Sequence, residues 1–301
     1  MQKTKIGYLT HTWNPIAMRC TPVSDGCRNC WHLRMAARLK EITEHLDEKV
    51  AYSGGTPWLR KKELDAPLRL RKPARIGVQF MGDLFHESVD GQFIIDVFLI
   101  AERCKQHTFM FLTKRPERML AIFSYMYNRE RLVKEKRPIP DNIWLGVSVE
   151  DQKTADERIP LLLQTPAAVR FVSYEPALGP ILFASQWMDK GRYGQYGVSV
   201  IDWIVMGGES GPGARPMHPE WVRSVRDQCQ AAEVPLYFKQ WGEYTPHPNT
   251  PIAKWPTRKP NIKNIPVGHT FDDGQVMFKV GTKRAGRLLD GREWDEKGLQ
   301  L

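Results

Sequence analysis

The stretch NIWLGVSVEDQKTADERIPLLLQTPAAVRFVSYEP, residues 142–176, decides how the rest of the chain is read. Its ends, NIWLGVSV (142–149) and AVRFVSY (168–174), are short runs rich in Val, Ile, Phe and Tyr. Near-continuous apolar runs of that length are expected of strands buried on both faces of a parallel sheet. Residues 152–164 between them are a helix candidate, so the stretch reads as one β-α-β unit.

Outward from it the pattern recurs. KIGYLT (5–10), RIGVQFM (75–81), HTFMFLT (107–113), DWIVMGG (202–208) and VPLYFKQ (234–240) are further strand candidates, and 31–40, 91–105, 116–127 and 219–232 further helices. In the last helix Pro219 sits near the start, and Trp221, Val222, Val225 and Cys229 share one face. From the second run onward, starts fall 26 to 35 residues apart, the length of a β-α unit. The expected fold is α/β: a (β/α) barrel, complete or partial, of about seven parallel strands. A flat doubly wound sheet is the alternative. It would usually carry a glycine-rich fingerprint after its first strand, and here that loop carries cysteines.

The expected organisation is a barrel over 1–243, with a cysteine loop at 20–30 and a basic insertion at 41–74. A C-terminal appendage, a candidate lid, covers 244–301. The insertion carries Arg60, Lys61, Lys62, Arg69, Arg71 and Lys72. Residues 244–269 are proline-rich and loop-like. FDDGQVMFKVG reads as a hairpin turning near Asp273-Gly274, followed by the tail KRAGRLLDGREWDE.

A chain of 301 residues with 42% hydrophobic residues can bury a sizeable core, which excludes general disorder. Its 44 Lys and Arg against 34 Asp and Glu give a net charge of +10. Such an excess favours anionic partners, nucleic acid first, although solubility alone also explains it. The N-terminal residues hold no long apolar core of a signal peptide, and FIIDVFLIA (93–101) is too short to span a bilayer and is broken by Asp96. A cytoplasmic protein without a membrane partner is expected. In that compartment thiols stay reduced, so clustered cysteines read as metal ligands or redox groups.

In a β/α barrel, chemistry gathers at the carboxyl ends of the strands. Each end here is polar: His11, Trp13 and Asn14 after the first strand; Gly82, Asp83, His86 and Glu87 after the second; Lys114 and Arg115 after the third; Ser148 and Glu150 at the fourth; Ser173 and Glu175 at the fifth; Gly207, Gly208, Glu209 and Arg215 after the sixth; Lys239 and Gln240 at the seventh. Acidic residues there also serve as helix caps. Seven polar ends on one rim would line a pocket.

The loop after the first strand reads CTPVSDGCRNCW (20–31), with Cys20, Cys27 and Cys30 spaced C-x6-C-x2-C. Pro22 and Gly26 let it bend, and Arg19 and Arg28 flank it and favour thiolates. Three ligand sets compete. Structural zinc needs a fourth ligand, which would be His11 or His32. A dithiol pair uses only Cys27 and Cys30. A [4Fe–4S] cluster on three thiolates uses all three and leaves one iron open. Cys104 and Cys229 fall in amphipathic helix patterns and read as core.

At this point the chain resembles a known family. A cysteine loop directly after the first barrel strand is the arrangement of the radical S-adenosylmethionine superfamily. TWNP, CTPVSDGCRNC, MGDLFHE, LTKRP, LGVSVED, GGESGPGARPM, FKQWGE and GRLLDGREWDE are similar to a phage and bacterial family known for a three-cysteine motif, over about residues 7 to 296. The chain departs from the superfamily's C-x3-C-x2-C spacing in its longer first gap, and its aromatic, Trp31, follows the last cysteine.

The resemblance implies a radical enzyme with a [4Fe–4S] cluster on Cys20, Cys27 and Cys30 and S-adenosylmethionine as cofactor. Gly82, Asp83, Ser148, Glu150, Gly207, Gly208 and Glu209 would meet that cofactor. Lys114, Arg115, Glu175, Arg215, Lys239 and Gln240 are left for the substrate, and cations at a rim suit a phosphate-bearing one. A nucleotide or DNA base is expected, modified or repaired, with an electron donor of flavodoxin or ferredoxin type. The basic insertion and RERLVKEKR (129–137) are candidate phosphate contacts. Two other functions compete: a zinc-bearing nucleic-acid-binding protein, and a barrel hydrolase using Asp83, Glu150, Glu175 or Glu209 as acid and base.

Overall fold

A computed structural model describes residues 1–127, 139–194, 197–246 and 268–298. The segment 129–137 and most of the proline-rich stretch, 247–267, lie outside the described residues.

The strands in chain order are β1 (Gln2–Lys3), β2 (His11–Trp13), β3 (Ile16–Ala17), β4 (Trp58–Leu59), β5 (Arg75–Val78), β6 (Thr108–Thr113), β7 (Ile143–Val149) and β8 (Val169–Tyr174). Then come β9 (Trp203–Gly207), β10 (Leu236–Gln240), β11 (Tyr244–Thr245), β12 (Gly268–Thr270), β13 (Val276–Lys279), β14 (Leu288–Leu289) and β15 (Arg292–Glu293). The main sheet has eight strands in the order β1-β2-β5-β6-β7-β8-β9-β10. Only β1 is antiparallel to its neighbour. From β2 onward the order follows the chain without reversal, so the sheet has no switch point of the doubly wound kind.

Every residue of β7 is buried, which is why its sequence shows no polar alternation. The following helix, Gln152–Gln164, starts at a capping box. The Asp151 carboxylate accepts from the Thr154 amide at 2.9 Å, and the Thr154 hydroxyl accepts from the Asp151 amide at 3.1 Å. Side chains alternate across the sheet. Phe109, Phe111, Leu145, Val147 and Ile204 pack on one face with helix residues such as Phe98, Phe123, Ile159 and Val222. Met110, Trp144, Phe171, Trp203 and Tyr237 form a second core on the other.

One strand expectation fails. KIGYLT (5–10) forms a turn, and the first parallel strand is His11–Trp13. Tyr8 and Leu9 fill the second core instead, the Tyr8 ring standing edge-on to Trp203 and Tyr237 at 5.4 Å each. Residues whose rings are used as a plug satisfy an apolar pattern as well as strand residues do.

The hairpin forms as β12 and β13, with Gly274 at φ 86° in its turn, and β11 joins it. The tail returns to the main sheet. The Phe238 amide donates to the Trp294 carbonyl at 2.8 Å, and the Trp203 indole donates to the Glu296 carbonyl at 2.7 Å. Among the described residues no helix is long and apolar enough to cross a membrane.

Candidate functional site

A cavity of about 540 Å³ opens at the carboxyl ends of the parallel strands. All three loop cysteines line it, together with Gly82, Asp83, Lys114, Arg115, Ser148, Glu175, Gly208, Glu209 and Lys239. Glu150, Gly207, Arg215 and Gln240 do not line it; each bonds to or packs against a residue of its wall or of the cysteine loop. Their partners show what they do.

The cysteine loop is fastened to four strand ends. At its start, Arg115 donates from Nη2 to the Thr21 hydroxyl at 2.8 Å and carbonyl at 3.2 Å, and reaches Asp83 Oδ2 at 3.2 Å and Glu87 Oε2 at 2.9 Å. Asp83 also accepts from the Thr113 hydroxyl at 2.8 Å and the Phe85 amide at 2.9 Å. In the middle, the Ser24 hydroxyl donates to Glu150 Oε1 at 2.9 Å. Gly26 lies so close to Glu150 that a Cβ would fall 2.4 Å from its Cγ. Glu150 in turn pairs with Lys114, and with Arg158 at 3.2 Å. On the far side, Arg215 pairs with Asp25 and with Glu209 at 2.8 Å, while Asn29 donates to Glu209 at 3.0 Å and to the Gly213 carbonyl at 2.7 Å.

The carboxylates read as cofactor contacts are therefore occupied by the protein itself. Burial alone would raise the pKa of Glu150, but Lys114 and Arg158 outweigh it and hold it below the usual range. Burial likewise opposes, and Arg215 and Asn29 outweigh it, at Glu209, which is also held low. Glu175 receives Lys239 Nζ at 2.8 Å and 3.0 Å. Burial would lower Lys239, but Glu175 outweighs it and keeps the ammonium charged. Gly208 needs its missing side chain for a different approach from the one expected: a Cβ would lie 2.2 Å from the Trp241 carbonyl oxygen.

Cys27 is buried, while Cys20 and Cys30 are partly exposed. Cys30 stands at the N-cap position of the helix Trp31–Ile42, with no capping bond from its side chain. The cation at Cys20 is not a loop arginine: Arg115 Nη1 lies 3.6 Å from its sulfur. Burial, and then Asp83, push the Cys20 thiol up to about 11 against that cation. His32 Nε2 accepts from the Cys20 amide at 3.3 Å, and burial pushes its pKa down to about 4. His11 bonds to Thr10 and does not line the cavity. Among the described residues, no three His, Cys, Asp or Glu side chains stand close enough together to share a metal ion as they lie.

Sequence reading missed Ser24, Asp25, Asn29 and Arg158 as fasteners. Arg158 did carry a signal: it is a buried charge on the face of its helix that also buries Ala155, Ile159 and Leu162.

Residues 3–297 match a family described as "Protein of unknown function (DUF5131)". No curated protein and no solved structure is significantly similar to the chain.

Proposed function

The chain belongs to the DUF5131 family, and we propose that it is a radical S-adenosylmethionine enzyme acting on a nucleotide or DNA base. One observation carries the reading: Cys20, Cys27 and Cys30 line a single cavity at the carboxyl ends of the parallel strands. They would hold a [4Fe–4S] cluster. In kind and number the donors fit, since three thiolates leave one iron for the amine and carboxylate of the cofactor. In position the sulfurs have to draw together, since among the described residues no three such side chains stand close enough to share a metal ion as they lie. We read the sequential strand order as a partial β/α barrel, with the described residues of the C-terminal segment, 244–246 and 268–298, as an appendage to it.

A cluster held by Cys20, Cys27 and Cys30 would supply one-electron reduction, its electron drawn from the donor protein, and the cofactor beside it would supply the means to take hydrogen from a C–H bond. The chain's own residues bind and shield. Gly82, Ser148 and Gly208 border the space for the cofactor. Lys114, Glu175 and Lys239 face the remaining volume, Lys114 paired with Glu150 and Lys239 with Glu175, so that a phosphate there would compete with those carboxylates. The reading places the protein in a reducing cytoplasm and requires a flavodoxin- or ferredoxin-type donor.

Two rival readings are weaker on the same geometry. Zinc lacks its fourth ligand, because His11 is elsewhere and His32 Nε2 already accepts from Cys20. Of the four carboxylates offered to a hydrolase as acid and base, Glu150 and Glu209 are held low by their cations, and Asp83 and Glu175 are paired with Arg115 and Lys239.

Anaerobic reconstitution with iron and sulfide tests the reading. About four irons and four sulfides per chain are expected, with 5′-deoxyadenosine released from S-adenosylmethionine on reduction and lost in Cys20→Ala. Zinc without sulfide, or cofactor left whole after prolonged reduction, overturns it.

A further inference from the structure

A second cavity, of about 1090 Å³, adjoins the first. Thr4, Ile6, Trp31 and Phe80 line both. Its remaining walls come from the helix after the cysteine loop, where Met35 and Leu39 face it, and from the basic insertion. Trp31 follows Cys30 directly and is 47% exposed. Its ring thus stands half in water on a wall shared by the two cavities. His45 and Trp58 also line it, their ring centroids 4.3 Å apart and their planes tilted by 39°.

The charges on the walls are unbalanced. Glu48 is neutralised by Arg60 at 3.0 Å, and Glu63 by the amino group of Met1 at 2.6 Å. Lys61 and Lys62 are exposed and have no ion-pair partner among the described residues. Two uncompensated cations beside aromatic faces are the elements of a single-strand binding site: cations track phosphates, and rings stack on bases.

We propose that this cavity seats a single-stranded segment of nucleic acid, one base stacked on Trp31 and the phosphates at Lys61 and Lys62. Because Trp31 is a common wall, the neighbouring nucleotide would be delivered into the cysteine-lined cavity. That last step rests on the reading in the preceding subsection; the binding does not. A single strand is favoured over a duplex because a recess opening on stacking faces accepts an unpaired base, and a paired one would have to be extruded first. A single strand is favoured over a free nucleotide because the cavity exceeds the usual range for small ligands.

The test is anisotropy of a labelled mixed-sequence single-stranded DNA with metal-free protein, alongside its duplex and an excess of unlabelled mononucleotides. The single strand is expected to bind more tightly than the duplex and to resist the mononucleotides. Trp31→Ala, at a half-exposed position, is expected to weaken binding about 5- to 150-fold. Lys61→Gln with Lys62→Gln is expected to make the slope of log affinity against log salt shallower by about 1.4. Unchanged affinity in Trp31→Ala, an unchanged salt slope, equal duplex binding, or displacement by mononucleotides each overturns the proposal. Cluster content and 5′-deoxyadenosine formation are measured separately. A cluster without strand binding sinks this site alone, and strand binding without a cluster sinks the enzymatic reading alone.

Discussion

Glu150→Gln tests whether the cysteine loop is held by buried charge. Glu150 is 1% exposed and carries Lys114, Arg158 and Ser24 on one carboxylate. The amide keeps the shape and an acceptor for Ser24 but leaves two cations without a counter-charge. Removing one member of a buried ion pair costs about 3–5 kcal/mol. The Lys114 side chain is 19% exposed and can turn toward water, so the lower figure of about 3 kcal/mol applies. At about 1.4 kcal/mol per tenfold, the open loop becomes roughly 100-fold more populated.

Alkylation followed by mass spectrometry reads this directly. Cys27 is buried within the loop, while Cys104 and Cys229 are buried in the main core and report global opening. Cys27 is expected to react about 100-fold faster in the variant, ahead of the two core cysteines. A Cys27 rate equal to that of the parent protein would refute the fastening argument. The pH dependence has a definite sign. Glu150 is lowered in the folded state, so its stabilisation is complete above the ordinary carboxylate pKa of about 4.3 and is lost as pH falls through the lower folded value. Protection of the amides over residues 24–30, relative to their intrinsic exchange, should fall through that acid window in the parent protein and fall less in Glu150→Gln, where Glu209 still holds the loop.

Arg215→Met removes the bridge between Asp25 and Glu209; about 1–3 kcal/mol is expected to be lost, with alkylation of Cys30 accelerated over the parent protein by a larger factor than that of Cys104. Gly208→Ala places a Cβ 2.2 Å from the Trp241 carbonyl oxygen, so a loss of 2 kcal/mol or more, about what overpacking costs, is expected in urea denaturation; a neutral result would mean that the β9–β10 loops are looser than drawn. Asp151→Ala breaks the capping box of the helix Gln152–Gln164 and should cost about 0.5–2 kcal/mol, read as a lowered denaturation midpoint with unchanged slope.

Much of the sheet is readable along the chain. The run at 142–149 became Ile143–Val149 and that at 168–174 became Val169–Tyr174. The helix expected over 152–164 has those bounds. Strands buried on both faces leave long apolar runs, and turns between them are short, so composition marks their limits. The exception at 5–10 has the same cause in reverse. Apolar content records burial but not backbone shape, and Tyr8 is buried as a plug.

The polar strand ends were also legible as a set, because polar residues that close an apolar run stand out locally. Their partners were not. Ser24 meets Glu150 across 126 residues, Asn29 meets Glu209 across 180, and Arg215 meets Asp25 across 190. Residue type and spacing carry where a chain turns and which groups reach its rim, since both follow from neighbours a few positions away. Which carboxylate is spent on holding the cysteine loop, and which cations lining the second cavity have no ion-pair partner among the described residues, follows from strand order and loop path. Charges pair by distance in space, and that distance exists only once the sheet has brought its seven parallel ends to one edge.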